Sequence, residues 1–395
     1  MDKIEEVLTR GVEKIYPSKE ALEKTLRSGK KIRVYQGFDP SMPNLHLGNI
    51  VGVLKLKQFQ DLGHEVIFLV GDFTGMIGDP TDKKSSRPQL TRKQVLENCK
   101  NWKEQAGQIL EFSGKNPAKF LYNSQWLSKL SFAALLNLAH HLTYQQTIKR
   151  DMFRKRLKQD KDIYLHEFLY PLMQGYDSVH MNVDLEIGGS DQMFNMLVGR
   201  DLMKKLKNKE KFVLTTKLLV DSRGEKVGKT TGNALFLNSS AAEMYGGIMS
   251  FPDEVIPLSF ELLTLLPLQS IKSLEKELSP IDLKKKLAFE IVKMYHSEKE
   301  AQKAQEEFEQ VFQKRNLPQE NILVHEIKPV EKEDVLKILT ESGLVSSRSE
   351  AKRLIAQGGV DVDGATVKEV SEVKMKDGSI IKAGKRKFLK IKIKG

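Results

Sequence analysis

Hydrophobic and polar positions along the chain alternate between two periods, and the switches between them outline the elements. Residues 1–30 place apolar side chains at helical spacing among many charges and predict an amphipathic helix. Lys31–Gly37 (KIRVYQG) predicts a strand with Ile32 and Val34 on one face. Asp39–Asn49 is rich in turn residues, and Ile50–Leu62 returns to helical spacing until Gly63 and His64 stop it. Glu65–Gly71 (EVIFLVG) is a continuous apolar run, the pattern of a strand buried on both faces in a parallel sheet. Strand, helix and strand with short connections make a βαβ unit, so the N-terminal part is expected to be a doubly wound, Rossmann-like α/β fold.

Further along, residues 90–170 read as mostly helical, with Trp102, Trp126, Leu135 and Leu136 as expected core. Val183–Ile187 is a short strand ending at Gly188-Gly189, and Phe212–Leu219 is another. Residues 240–315 are helical, with an apolar stripe at Leu283, Leu287, Ile291 and Tyr295. Residues 316–330 carry prolines and no clear period and read as a linker. Beyond it, helices are expected at Val335–Ser342 and Ser347–Ala356. Strands are expected around Val360–Val362, Ser379–Ile381 and Phe388–Ile393, giving a small α+β module.

The chain's 395 residues suit two or three domains. No apolar run approaches the ~18 residues of a membrane span. The N-terminus MDKIEEVLTR lacks the apolar core of a secretory signal. The single Cys99 cannot form an intrachain disulfide, no cluster has metal-ligand spacing, and a reducing cytoplasm is expected. The net charge of +12 fits a polyanionic partner or simply a lysine-rich solvated surface. The distribution is more telling: residues 385–395 carry Lys385, Arg386, Lys387, Lys390, Lys392 and Lys394 and no acid.

Two strings carry chemistry. Gly37-Phe38-Asp39-Pro40-Ser41-Met42-Pro43-Asn44-Leu45 runs into His46-Leu47-Gly48-Asn49 between the first strand and helix. A helix N-terminus there directs backbone donors and a favourable dipole at phosphates, with His46 and Asn49 as neutral donors and Gly48 leaving room for a nucleotide. Lys226-Val227-Gly228-Lys229-Thr230 places two ammonium groups on a glycine-containing loop able to wrap a triphosphate, chiefly in the transition state. Each string alone reads more readily as a helix cap or an exposed hairpin. Together they suit attack of a carboxylate on the α-phosphate of ATP, a reaction that needs orientation and charge stabilisation rather than a protein nucleophile. A third polar face comes from Tyr170, Gln174 and Asp177, spaced i, i+4, i+7, with Pro171 expected in the first turn of their helix.

GFDPSMPNLHLGN and KVGKT resemble the two signature motifs of the class I aminoacyl-tRNA synthetases, and specifically the tyrosyl enzymes. Asn49 stands where the family pattern has histidine. The resemblance implies a tyrosine–tRNA ligase that forms tyrosyl-adenylate from L-tyrosine and ATP, with Mg²⁺ accompanying the nucleotide, and then charges tRNA(Tyr). It further implies a homodimer. By resemblance Tyr35 and Asp177 hold the substrate hydroxyl, and Tyr170, Gln174 and Asp79 (in GDFTGMIGDPT) hold its ammonium. Gln192 lies near its carboxyl, and Asp191, in the matching GGSDQ string, lies toward the ribose. Gly37, Asp39, Gly48 and Gly189 line the nucleotide together with His46 and Asn49. Lys226, Lys229 and Thr230 face its phosphates, and Lys83, Lys84 and Arg87 form a possible second phosphate loop. Tryptophanyl synthetases share the fold but have no phenol to receive, and the Tyr35–Asp177 pair favours tyrosine. Residues 331–395 resemble the ribosomal S-four-type RNA-binding module, with Arg348, Lys352 and Arg353 on one broad basic face. The expected division is a catalytic domain at 1–236, a helical region at 237–325 that approaches the anticodon stem, and the RNA-binding module at 326–395. A noncatalytic RNA-binding protein on the same scaffold is the alternative.

Overall fold

A computed structural model describes residues 2–81, 89–220, 235–312, 323–327, 333–345, 347–363, 365–367, 369, 372–373, 375–384 and 387–393. The chain divides into two compact units, Met1–Gln305 and Glu306–Gly395. Residues 237–325, expected as a separate helical region, fall on both sides of that division.

Among the described residues the first unit is built on a six-stranded sheet. Its strands are β1 (Val12–Tyr16), β2 (Arg33–Phe38), β3 (Glu65–Val70), β4 (Lys119–Tyr122), β5 (Leu185–Gly189) and β6 (Phe212–Thr216), in the order β1-β6-β5-β2-β3-β4. All neighbours are parallel except β1, which runs antiparallel along β6. The strand order reverses between β5 and β2. That reversal is the topological switch point at which doubly wound sheets open a crevice beyond the carboxyl ends of their strands.

The N-terminal helix expected over residues 1–30 is instead helix α1 (Lys3–Thr9), strand β1 and helix α2 (Lys19–Arg27). Gly11, at φ +62°, ends the first helix in a conformation that costs other residues strain. VEKIY then finds an edge of the sheet to pair with. Strand β4, hidden in the stretch read as helical, pairs with β3 at the opposite edge. Trp102 and Trp126 are buried as expected, but Leu136 is 54% exposed, so it is not core. The helix that carries the polar face spans Leu165–Met181, and Pro171 sits inside it rather than in its first turn. That helix packs closely on Met193–Lys207: a Cβ on Gly175 would lie 3.2 Å from Gly199 Cα.

The helices between Ala241 and Tyr295 belong to the same unit. The Arg10 guanidinium reaches Ile256–Leu263 and its exit, donating to the carbonyls of Phe260, Glu261, Thr264 and Leu266. A helix C-terminus leaves such carbonyls without internal partners, so one buried arginine ties the chain's start to residues about 250 positions on.

In the second unit, β9 (Val360–Val362), β10 (Ala365–Thr366), β12 (Ile380–Ala383) and β13 (Lys387–Ile393) form a sheet with β7 (Leu323–Ile327), in the order β10-β9-β12-β13-β7. A short pair, β8 (Glu333–Asp334) and β11 (Glu372–Val373), lies apart from it in the pairing. Helices Val335–Glu341 and Arg348–Ala356 contribute Val335, Leu339 and Ile355 to a core shared with Val360, Ile381 and Leu389. Residues 323–327 are therefore not linker: they run parallel to β13, from Leu323 opposite Leu389 to Ile327 opposite Ile393.

Candidate active site

The switch point brings β2 and β5 side by side, with Tyr35 opposite Glu186. Tyr35 is buried on β2, and its hydroxyl lies 2.8 Å from Ser178 Oγ on the Leu165–Met181 helix. Burial pushes its phenol well above the usual range, and the Glu186 and Asp177 carboxylates add to the rise.

Asp177, one residue earlier on that helix, is 3% exposed. It accepts hydrogen bonds from Trp126 Nε1 at 2.7 Å and Asn123 Nδ2 at 3.2 Å. Burial raises its carboxyl well above the ordinary carboxylate range, and these two donors oppose the rise. Its partner Trp126 belongs to an apolar cluster with Tyr35, Ile67, Leu69 and Met173.

Tyr170, two turns earlier, donates to Asp39 Oδ2 at 2.9 Å, while Thr74 Oγ1 donates to Asp39 Oδ1 at 2.7 Å. Gly71 makes that position possible, since a Cβ there would lie 2.0 Å from Asp39 Oδ1. Gln174, between Tyr170 and Asp177, donates from Nε2 to Glu186 Oε1 at 3.0 Å. The other Glu186 oxygen accepts from Ser178 Oγ and pairs with Lys211, both ions being almost wholly buried. Burial lowers the Lys211 ammonium below its usual value, and Glu186 opposes that fall.

Asp79 closes a second side. Its Oδ1 accepts from the Thr81 amide and hydroxyl, and its Oδ2 accepts from Gln192 Nε2 at 2.6 Å. Asn195 Nδ2 holds Gln192 Oε1 at 3.0 Å. Asp191 precedes Gln192 in a single 3₁₀ turn at the end of β5. A Cβ on Gly189 would stand 2.5 Å from Asp191 Oδ1, so a side chain there would displace that carboxylate. Gly37, by contrast, is not crowded: its nearest contact would be 3.8 Å away.

His46 caps helix α3 (Leu47–Asp61) and is 7% exposed. Asn49 turns its side-chain oxygen back to accept the His46 backbone N–H at 3.1 Å, the reciprocal half of a capping box. A Cβ on Gly48 would come within 2.9 Å of the imidazole, so the ring occupies the place of the missing side chain. The second motif itself, with Lys226, Lys229 and Thr230, lies outside the described residues, as do Lys83, Lys84 and Arg87. Its exit is described, and it meets the first motif. His46 bridges to Phe236, Leu47 N–H donates to the Leu235 carbonyl at 3.0 Å, and Leu237 N–H donates to the Leu45 carbonyl at 2.9 Å.

The predicted residues fall into three hydrogen-bonded groups: Tyr35 and Gln174 through Ser178 and Glu186, Asp39, Tyr170 and Asp177 through Thr74 and Asn123, and Asp79 with Gln192. Tyr170 lies within electrostatic reach of Asp39, Asp79 and Asp177. The sequence reading missed Thr74, Asn123, Ser178, Glu186 and Lys211, and gave Trp126 only a core role. An acid inside an otherwise apolar strand, Glu186 in VDLEI, was the one available signal. In the second unit Arg348, Lys352 and Arg353 all lie exposed on the Arg348–Ala356 helix. Among the described residues no helix is long and apolar enough to cross a membrane, and no group of three His, Cys, Asp or Glu side chains is placed to hold a metal ion.

Comparison with known proteins agrees with this architecture. The family described as tRNA synthetases class I (W and Y) matches residues 27–313, and the S4 domain matches residues 335–377. A tyrosine–tRNA ligase of Thermotoga maritima is 42% identical over 98% of this chain and 96% of its own. One of Carboxydothermus hydrogenoformans is 43% identical over 98% and 97%. The C-terminally truncated mitochondrial tyrosyl-tRNA synthetase of Aspergillus nidulans has the same fold, with a TM-score of 0.67 at 23% identity over 78% of this chain and 94% of that one. The chain belongs to the class I aminoacyl-tRNA synthetases. Within that class it falls in the tyrosine–tRNA ligase family, and the activity is that of an ATP-dependent ligase joining tyrosine to tRNA.

Proposed function

We propose a division of labour in which the crevice at the switch point reads tyrosine from its two ends. The phenol enters beside Tyr35 and Asp177, and the ammonium is held by Tyr170, Gln174 and Asp79, with Gln192 beside the carboxylate. The observation that carries this reading is Asp177: a buried acid whose partner Trp126 shares an apolar cluster with the buried Tyr35 has a use if a polar group arrives there. Phenylalanine brings no hydroxyl, so it forgoes that hydrogen bond and gains nothing in its place.

The adenylate half of the reaction falls to Gly37, Asp39, Gly48, Gly189 and Asp191 around the nucleotide, with His46 at the phosphates. Asn49 acts there by fixing the His46 turn as well as by any contact of its own. Lys226, Lys229 and Thr230 serve the departing pyrophosphate, and Lys83, Lys84 and Arg87 form a second basic loop over it. Mg²⁺ enters as part of the ATP substrate. No protein nucleophile is required: the tyrosine carboxylate attacks the α-phosphorus and pyrophosphate leaves, and a hydroxyl of the tRNA 3′-terminal ribose then attacks the mixed anhydride, forming the ester as AMP leaves.

Residues 1–236 carry this chemistry, 237–325 approach the anticodon stem, and the module at 326–395 binds tRNA(Tyr) through phosphate contacts of Arg348, Lys352 and Arg353. The enzyme acts as a cytoplasmic homodimer. Phe132, Leu136, Tyr144 and Leu165, which are 75%, 54%, 62% and 84% exposed, offer an apolar surface for a second copy. ATP–pyrophosphate exchange measured with tyrosine, tryptophan and phenylalanine tests the pocket. Exchange driven by tyrosine alone supports it; equal exchange with phenylalanine, or none with tyrosine, rejects it.

A further inference from the structure

We infer that the buried Glu186–Lys211 pair is a positioning device that fixes the polarity of the Gln174 amide, so that its carbonyl oxygen faces the substrate ammonium. This rests on the tyrosine-pocket reading above and assigns two residues to it that touch no substrate.

An amide side chain has a donor end and an acceptor end of nearly equal size, and its neighbours decide which way it turns. Gln174 Nε2 lies 3.0 Å from Glu186 Oε1. A carboxylate can only accept, so an ionised Glu186 admits the NH₂ end of Gln174 and repels the carbonyl. Gln174 Oε1 is then turned the other way. It is buried and has no hydrogen-bond partner among the described residues. A buried carbonyl oxygen without a partner is costly unless a donor arrives, and a primary ammonium brings three.

Glu186 lies on β5 at the middle of the sheet, where a buried carboxylate needs a partner of opposite charge. Lys211, 0% exposed against 2% for Glu186, supplies the counter-charge. Ser178 braces both ions: its Oγ lies 3.2 Å from Glu186 Oε2 and 3.0 Å from Lys211 Nζ. The pair reaches the pocket directly through Gln174 and, by way of Ser178, through the Tyr35 hydroxyl.

Three proteins test the inference in tyrosine-dependent pyrophosphate exchange: wild type, Glu186→Gln, and the double variant Glu186→Gln/Lys211→Met. The double variant removes both charges, which avoids a lone buried ion; replacing a complete buried pair is often nearly neutral for folding. The probe beside tyrosine is its desamino analogue, used as a competitive inhibitor, which keeps the phenol and carboxylate but has no ammonium. Both variants should raise the KM for tyrosine by about 10- to 100-fold, the worth of a hydrogen bond to a charged group, with a smaller change in kcat. Inhibition by the desamino analogue should stay within about threefold of wild type on the same scale. Equal weakening of tyrosine and analogue, or an unchanged KM, overturns the inference. Failure of the pocket reading would look different: the analogue would not inhibit wild type, or wild type would not use tyrosine.

Discussion

Replacing Asp177 by alanine separates what that carboxylate does for the fold from what it does for the substrate. In the protein without ligands it receives Trp126 Nε1 and Asn123 Nδ2. Alanine leaves two buried donors unpaired, at about 1–3 kcal/mol each. Part of that is returned, because a carboxyl held well above its usual pKa by burial is itself destabilising when ionised. Its contribution to stability is fully present below the unfolded value of 3.8 and is lost as pH rises toward the folded value, so at neutral pH removing it restores some stability. The net loss of stability should therefore fall short of the full ~2–6 kcal/mol that two orphaned donors would cost. The substrate term has no such offset. Loss of the acceptor for the phenol should lower kcat/KM for tyrosine by about 5- to 150-fold, equivalent to ~1–3 kcal/mol. Phenylalanine makes no such bond, so its value should change far less and discrimination between the two should shrink by a similar factor. Pyrophosphate exchange with both amino acids measures this, with thermal unfolding alongside to establish that the variant is folded. A folded variant that loses both substrates equally, or keeps tyrosine at full rate, would refute the assignment.

Other consequences are as direct. Gly48→Ala places a methyl group 2.9 Å from the His46 ring; the ring must move, and adenylate formation should slow by up to about 100-fold with little change in tyrosine affinity, as read by stopped-flow kinetics. Unchanged rates would show that His46 is not at the phosphates. Lys55, buried with its ammonium on the carbonyls of Val7 and Arg10, has its pKa lowered from 10.5 to about 7, chiefly by burial. Its stabilising contribution is complete above 10.5 and is lost as pH falls toward about 7. Lys55→Met should flatten the pH dependence of denaturant midpoints across that interval; an identical slope would contradict the shift. Combined Arg348→Ala, Lys352→Ala and Arg353→Ala should leave pyrophosphate exchange intact while raising the KM for tRNA and reducing its salt dependence, and a charging rate equal to wild type at all salt concentrations would remove the RNA role.

The sequence disclosed most where a pattern was local. The run EVIFLVG and the helix after HLGN follow from periodicity, and both strands of the switch point were visible as short apolar segments. Errors came where a distant partner decided the outcome. VEKIY became a strand because β6 offers it an edge, and LVHEI did so because β13, far along the chain, lies beside it with Leu389 opposite Leu323. Pro171 was misplaced because a helix packed against Met193–Lys207 tolerates the one lost hydrogen bond that would end an isolated helix. Leu136 looked like core because a leucine on a helix usually is, and only the three-dimensional surface exposes it.

The site divides along the same line. Tyr170, Gln174 and Asp177 announced themselves by spacing, since they share one helix face. Their controllers did not. Ser178 is an ordinary helix residue until Tyr35 and Glu186 are placed around it, and nothing in a lysine just before β6 reveals that it is buried against an acid on β5. Charges that meet across a sheet leave no periodic trace.

The central claim is that the crevice at the β2–β5 switch point activates tyrosine. A single-turnover experiment tests it most directly: the chain is mixed with MgATP and labelled tyrosine without tRNA, the protein is isolated, and the bound product is identified before tRNA(Tyr) is added. Enzyme-bound tyrosyl-adenylate that transfers its tyrosyl group to the added tRNA is the predicted result. Folded protein that yields no adenylate, or yields it equally from phenylalanine, would contradict the account.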